Sequence, residues 1–335
     1  MKLLTKNENN DKLALDNKLK VYNNIEELIP SLENPTPIVK LNERINPNHR
    51  FPIYLKLERF NPFGSIKDRI ALLMIDGLDL EGNKTIIEPS SGNTGIALTA
   101  IANSRGSHVE IVVPSRIPEE KKTLLRFLGV DVLWEAEDEL CPKYPNEGAR
   151  GLVNGILESA GGEKYACPNQ YENKLNVQAH YQTTGPEIWK QTGGKIKYFF
   201  AGLGTCGTIT GVGKYLKEKN PSIKIIGIEP DIPTHNLPGM KRITNLGEEY
   251  IPKILNKNVI DDIIEIDDDT AYRTGIEIAR KTGILVGPTT GAIVAGALKY
   301  SETSEGIAVC ISPDDAFKYM SSYASYVKDD GKLML

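Results

Sequence analysis

Cysteine is scarce in this chain: four residues in 335, Cys141, Cys167, Cys206 and Cys310, scattered with no CxxC pair among them. That usage gives no disulfide framework and no metal-ligand spacing, and it fits a reducing, cytoplasmic setting. Long apolar runs are also missing, since nowhere do hydrophobic residues continue for the roughly 20 positions that cross a bilayer. Basic excess is absent too. Forty Lys and Arg against 44 Asp and Glu leave a formal net charge of −4, with no basic stripe or interleaved aromatics, so nucleic acid is not an expected partner. No internal repeat, heptad array or low-complexity block is found. Residues 1–20 are polar without an apolar segment and are read as a surface extension.

The remaining composition, 40% hydrophobic and 25% charged, is that of a globular protein able to bury a large core. Its length predicts two lobes with a ligand cleft between them. After Pro35, short β-branched runs alternate with helical patterns, each switch punctuated by Gly, Pro, Ser or Asn, which is an α/β signature. Strands are expected at 53–57, 85–87, 109–113, 132–134, 198–201, 223–228, 263–266 and 307–311. Helices are expected at 66–77, 95–105, 119–128, 146–159, 173–191, 208–219, 269–281 and 292–300. Many strands are apolar without alternation, as burial on both faces requires. The strand series restarts after the long helical segment, so a second sheet is expected to begin near Tyr198.

Five segments could carry chemistry. In FNPFGSIKDR, Phe60 to Arg69, a loop runs into a helix with Lys67 in its first turn, where the helix dipole disfavours an ammonium. Lys67 is either a solvated lysine beside the favourable Asp68 or a Schiff-base lysine whose neutral amine attacks an aldehyde. In EPSSGNTG, Glu88 to Gly95, Ser90, Ser91, Asn93 and Thr94 bunch at a helix start. One capping side chain would suffice there, so four point to an anion, and a carboxylate is favoured.

GLGTCGTITG, Gly202 to Gly211, offers glycines whose backbone N–H groups can close around a phosphate. Read literally, Gly202, Gly204 and Gly207 also form GxGxxG with Glu229 about 20 residues on, the pattern of a nicotinamide dehydrogenase. GILVGPTTGA, Gly283 to Ala292, and CISPDDAFKY, Cys310 to Tyr319, present Thr289, Thr290, Asp314 and Asp315, all of which can be read as helix caps.

In this order the motifs resemble the fold-type II pyridoxal phosphate (PLP) enzymes, related in fold to the tryptophan synthase β chain, and most closely the cysteine synthase and cystathionine β-synthase family. The resemblance runs over about residues 35 to 325. It implies two open-sheet α/β lobes with PLP in the cleft. The smaller, mobile lobe would be 46–175 with the carboxylate loop, the larger 35–45 and 176–335 with the phosphate cup, and 1–34 an extension.

It implies Lys67 as the cofactor lysine, and Ser90, Ser91, Asn93 and Thr94 as the carboxylate loop, with Asn93 also facing the ring hydroxyl. The segment NQYENKLNVQAHYQTTGPEIW implies Gln170 as a second carboxylate contact and His180 as a packing residue. Gly204, Thr205, Cys206, Gly207 and Thr208 become the phosphate cup, with Cys206 where relatives often carry Gly. Thr289 is placed opposite the pyridine nitrogen, where a hydroxyl leaves the ring a weaker electron sink and favours β-elimination. Pro288 and Phe317 depart from the family pattern.

The implied reaction is β-replacement on a serine-derived amino acid through an aminoacrylate: cysteine synthesis from O-phosphoserine or O-acetylserine plus sulfide. GMKR, Gly239 to Arg242, resembles a loop that brings an arginine to a substrate phosphate, so Arg242 is expected either as that clamp or as a surface residue. Cystathionine β-synthase chemistry and a sulfide-releasing cysteine lyase remain alternatives on the same site, the latter with Asp231 either activating water or simply ending a turn. A dehydrogenase and a silent binding protein of the same fold are the more distant alternatives. The resemblance also implies a homodimer.

Overall fold

The structure, a computed structural model, describes residues 21–90, 92–115, 117–136, 148–160 and 163–328. Ten strands build two sheets: β1 (Ile38–Lys40), β2 (Ile53–Leu57), β3 (Thr85–Pro89), β4 (Val109–Pro114), β5 (Val132–Ala136), β6 (Tyr165–Ala166), β7 (Ile196–Gly202), β8 (Lys224–Pro230), β9 (Asp262–Ile266) and β10 (Ile307–Ser312). A six-stranded sheet runs β1-β2-β10-β7-β8-β9 and a four-stranded sheet β5-β4-β3-β6. All pairs are parallel except β1 with β2. Parallel neighbours need crossovers, and the intervening helices supply them while covering both faces.

Side chains alternate across each strand, and the cores follow that period. In the large sheet Phe200, Ala308 and Cys310 join Ile53 and Leu55 in one core, while Phe199, Ala201, Val309 and Ile311 pack into another. In the small sheet Ile86, Val109, Ile111 and Val113 face one helical layer and Ile87 and Val112 the other. Each Val, Leu, Ile or Phe side chain among them removed from water contributes about 1.5–3 kcal/mol. This confirms an α/β fold of two sheets, each with a hydrophobic layer on both faces.

Two expectations change. Residues 53–57, assigned with 46–175 to the smaller lobe, instead belong to the six-stranded sheet. β2 pairs in register with β10, because Ile53, Leu55 and Leu57 complete the core against Ala308 and Cys310. The helix expected at 173–191 is three pieces: Lys174–Ala179, a π-helical turn His180–Thr184, and Gly185–Gln191. Pro186 has no N–H for the regular ladder, and the Thr183 hydroxyl donates to the Ala179 carbonyl at 2.7 Å, so a wider turn replaces the α pattern. The short strands β1 and β6 lacked any sequence pattern. Among the described residues no helix is long and apolar enough to cross a membrane, and no group of His, Cys, Asp or Glu could hold a metal ion.

Candidate active site

One cavity lies where the carboxyl ends of β3, β7 and β10 meet, the usual ligand position of open parallel sheets. Lys67, Asn93, Thr94, Gln170, Gly204, Thr205, Cys206, Thr208 and Thr289 all line it. Residues from segments more than 200 positions apart therefore share one wall.

Lys67 is the first residue of helix Lys67–Asp76. The loop before it is fastened by Asp68, which accepts from the Phe63 N–H at 2.6 Å and the Ser65 hydroxyl at 3.2 Å. Burial pushes the Asp68 carboxyl up to about 7 despite those donors. Ile66 N–H donates to the Pro313 carbonyl at 2.8 Å, and the Lys318 ammonium donates to the carbonyls of Phe63 and Gly64 at 2.9 and 3.1 Å. The lysine is thus presented by a loop held at both ends.

The loop that leads from β3 into helix Asn93–Ser104 is shaped by Ser90, whose hydroxyl accepts from the N–H groups of Gly92 at 3.1 Å and Gly95 at 2.9 Å. Ser90 is therefore a buried brace of the loop before the helix rather than part of the cavity wall. Ser91 lies outside the described residues. Thr94 donates to the Gln170 side chain at 2.7 Å, and Gln170 donates to the Pro89 carbonyl at 2.9 Å. Buried Glu88 holds that segment by accepting from the N–H groups of Asn169 and Gln170 at 2.8 and 3.0 Å.

The cup at 204–208 ends β7 and opens helix Gly207–Lys219. A Cβ at Gly204 would strike the Gly239 carbonyl, and one at Gly207 the Asn176 side chain, so both positions demand a bare backbone. Gly207 itself is not a lining residue. Cys206 adopts a left-handed conformation at φ +65°, and burial pushes its thiol up to about 12. Asn176 donates to the Thr205 hydroxyl at 3.3 Å. His180 lies between Thr184 and Thr208 at 3.0 and 3.1 Å. Burial, together with the charges of Lys67 and Arg69, lowers it to about 3, so it stays neutral and packs as expected.

Thr289 is not a cap, because Gly287 holds that position in helix Pro288–Ser301; its hydroxyl reaches the Pro238 carbonyl at 3.4 Å. Asp315 does cap, accepting from Phe317 N–H at 2.9 Å. Asp314 does not: it is 2% exposed and lines the cavity, as do Tyr319 and Lys121. These three went unrecognised. The available signal was the position of Asp314 at the carboxyl end of a fully buried parallel strand.

Arg242 is absent from this wall. It lines an adjoining groove that shares Pro238, Gly239 and Met240 with the cavity, and its guanidinium donates to Glu265 at 2.6 Å. Asp231 is not in either lining. Glu229, the acid of the dinucleotide pattern, is fully buried and accepts from the Thr244 N–H and hydroxyl. It is not available to a ribose.

The site fits a phosphorylated aldehyde cofactor on its own geometry: a lysine, a glycine cup at a helix N-terminus, and two buried acceptors, Asn93 Oδ1 and Asp314 Oδ1, with no hydrogen-bond partner among the described residues. Residues 29–314 match the family described as "Pyridoxal-phosphate dependent enzyme", and the chain belongs to that family. It is a PLP-dependent enzyme. Cysteine synthase B of Escherichia coli (strain K12) is 37% identical over 292 residues, 86% of this chain and 92% of that protein. Cysteine synthase of Staphylococcus aureus (strain Mu50) is 37% identical over 297 residues, 86% of this chain and 93% of that protein. Among solved structures, a hydrogen sulfide-producing enzyme from Fusobacterium nucleatum superposes with a TM-score of 0.79 at 35% identity, covering 89% of this chain and 100% of that one. Cysteine synthase from Entamoeba histolytica gives 0.78 at 31% identity, covering 98% and 96%.

Proposed function

We propose that this enzyme performs β-replacement on an O-activated serine, with sulfide as the incoming nucleophile and cysteine as the product. The observation that carries the reading is the meeting of Lys67, the Asn93–Thr94–Gln170 wall and the 204–208 cup in one cavity. PLP bound to Lys67 supplies the electron sink that acidifies the substrate α-carbon and lets the β-substituent leave.

Lys67 would be the base that removes the substrate α-proton and later returns it. Thr94 and Gln170, with loop N–H groups, bind the substrate carboxylate. The backbone donors of Gly204 to Thr208 would hold the cofactor phosphate at the helix N-terminus. Thr289 would offer a hydroxyl to the ring nitrogen, which would add no positive charge to the sink and so favour elimination over transamination. Arg242 would act as a phosphate clamp from the adjoining groove, with Glu265 as the partner it has to leave. Two such chains form the active dimer in this reading.

A second reading, sulfide release from cysteine, is favoured by the likeness to the hydrogen sulfide-producing enzyme from Fusobacterium nucleatum. The test is to load the protein with PLP and add O-acetylserine, O-phosphoserine, serine or cysteine separately, following the visible spectrum and then cysteine formed from added sulfide. Cysteine formation from an O-activated serine supports the proposal; sulfide evolution from cysteine with no net synthesis replaces it by the second reading. Lys67→Ala should lose at least roughly a thousandfold in turnover while keeping its fold. Arg242→Ala should impair O-phosphoserine far more than O-acetylserine; equal losses exclude the clamp.

A further inference from the structure

Two hydroxyls of the cup, those of Thr205 and Thr208, are backed by the helical run that follows Gln170. Asn176 and His180 stand four residues apart in that run, a spacing that puts both on one helix face, and both are fully buried. Asn176 Nδ2 donates to the Gln170 carbonyl at 2.7 Å and to Thr205 Oγ1 at 3.3 Å. His180 Nε2 lies 3.1 Å from Thr208 Oγ1, and its Nδ1 lies 3.0 Å from Thr184 Oγ1.

The direction of each bond follows from what the partners can do. A carbonyl only accepts, so the Asn176 amide has to turn its nitrogen towards Gln170, and its second hydrogen then meets Thr205. A hydroxyl that accepts in this way keeps its own proton to give elsewhere, and Thr205 and Thr208 both line the cavity. His180 is neutral, since burial and the charges of Lys67 and Arg69 lower it to about 3, and a neutral imidazole has one N–H and one acceptor. With the hydrogen on Nδ1, Thr208 would spend its proton on Nε2. With the hydrogen on Nε2, Thr208 accepts, and the Thr184 hydroxyl donates to Nδ1. A phosphate dianion offers acceptors alone, so only the second arrangement leaves Thr208 a proton for it.

We propose that Asn176 and His180 are positioning residues for the cofactor phosphate: each donates to one hydroxyl of the cup, so that the protons of Thr205 and Thr208 are left for phosphate oxygens, and His180 carries its hydrogen on Nε2. The assignment rests on the reading of residues 204–208 as the phosphate cup. Gly207, between the two threonines, lets the helical run come this close, because a Cβ there would strike Asn176 Oδ1. Backbone N–H groups at a helix start attract an anion. Hydroxyls whose direction is fixed beforehand add to that affinity with little ordering cost.

The first test is the tautomer of His180 in the PLP-loaded enzyme, read by two-bond proton–nitrogen correlation with nitrogen-15 histidine. The chain has four histidines, and the signal of His180 is the one that remains when His49, His108 and His235 are replaced by Gln. A hydrogen on Nε2 is expected; a hydrogen on Nδ1, or a doubly protonated ring, overturns the assignment. The second test is the dissociation constant of PLP from fluorescence titration of the cofactor-free enzyme, with far-ultraviolet circular dichroism as the check on folding. Thr208→Val and His180→Phe should each weaken PLP by roughly tenfold to a hundredfold, as one hydrogen bond to a charged group does. The double variant should be no weaker than Thr208→Val alone, because His180 acts through that hydroxyl. Asn176→Leu and Thr205→Val should behave as the same kind of pair. Losses that multiply in the double variants mark general structural support and sink the assignment. Full PLP affinity in both threonine variants removes the cup reading and the assignment together, whereas a chain that passes both tests yet forms no cysteine refutes the proposed reaction alone.

Discussion

Two buried polar clusters lie on either side of Lys67, and they differ in whether their bonding is complete. Behind the lysine, Arg69, Lys56, Glu58 and Glu187 have side chains with no solvent exposure. Lys56 spends its three hydrogens on the Thr36 carbonyl, Glu187 and Gln191 at 2.8, 2.6 and 2.9 Å. Arg69 bridges Glu58 and Glu187 with bonds of 2.6 to 3.0 Å. Two cations meet two carboxylates. In front of the lysine, Asn93 and Asp314 each keep a buried acceptor without a partner among the described residues. A closed cluster is structure; an open one is prepared for a ligand.

The largest way to break that contrast is to open the closed cluster. Arg69→Met leaves Glu58 and Glu187 buried with Lys56 as their remaining cation, and removing one partner of a buried pair costs about 3–5 kcal/mol. Glu58 is the sensitive member: burial pushes its carboxyl up, yet the Arg69 guanidinium and Lys56 bring it down to about 2. Its depressed value stabilises the fold above pH 4.5, and that contribution disappears as pH falls towards 2. Denaturant titration should therefore show a large loss in Arg69→Met at pH 7 and a smaller one at pH 3. Asn93→Ala, in the open cluster, should cost no more than about 1–2 kcal/mol and mainly lower the retention of PLP. Similar losses of stability in the two variants would erase the distinction.

Glu88 sharpens the contrast, since it is buried with backbone donors but no cation. Burial raises its carboxyl to about 7 although the N–H groups of Gln170 and Asn169 pull it down. The folded chain thus keeps a proton between 4.5 and 7 that the unfolded chain has released, and stability falls as pH rises through that window. The fall is of order 3 kcal/mol for such a shift. Glu88→Gln should flatten the dependence measured between pH 4.5 and 7.5. The slope should not vanish, because Asp68 titrates in the same window with its carboxyl also raised by burial. An unchanged slope would mean that Glu88 is ionised in the fold.

Much of the open cluster was legible because each part sits in a local pattern. Lys67 follows a Pro and Gly loop, Thr94 and Asn93 open a helix after a strand, and the cup is a run of glycines after another strand. Strand cores were legible for the same reason, since β-branched runs mark them. The closed cluster was not, because Arg69 and Glu187 are 118 positions apart and neither has a local signature. Asp314 was misread as a cap because Asp315, beside it, does cap, and only the turn of the chain after β10 separates their roles. The π-helical turn was hidden because helical periodicity runs through it unchanged, and only Pro186 marks the break. Ser90 was read as a ligand contact, yet its hydroxyl accepts from the N–H groups of Gly92 and Gly95 and so shapes the loop before the helix.

The smallest effect concerns the cup itself. Three residues other than glycine adopt positive φ among the described residues, and two are asparagines, Asn83 and Asn169, which tolerate the left-handed region through local side-chain bonding. Cys206 has no such excuse: its thiol only approaches the Gly204 carbonyl at 3.6 Å. A side chain there costs roughly 1–2 kcal/mol, offset in part by its place in the core with Leu203 and Ile209. Cys206→Ala keeps the conformational cost and loses the packing, whereas Cys206→Gly loses both. The glycine substitution should therefore be more stable than the alanine one by about 1 kcal/mol, read as a shift in thermal midpoint. Since the N–H donors of the cup are unaltered, both variants should retain PLP like the original enzyme. If Cys206→Ala is the more stable, the left-handed turn is not the conformation the cup adopts in solution.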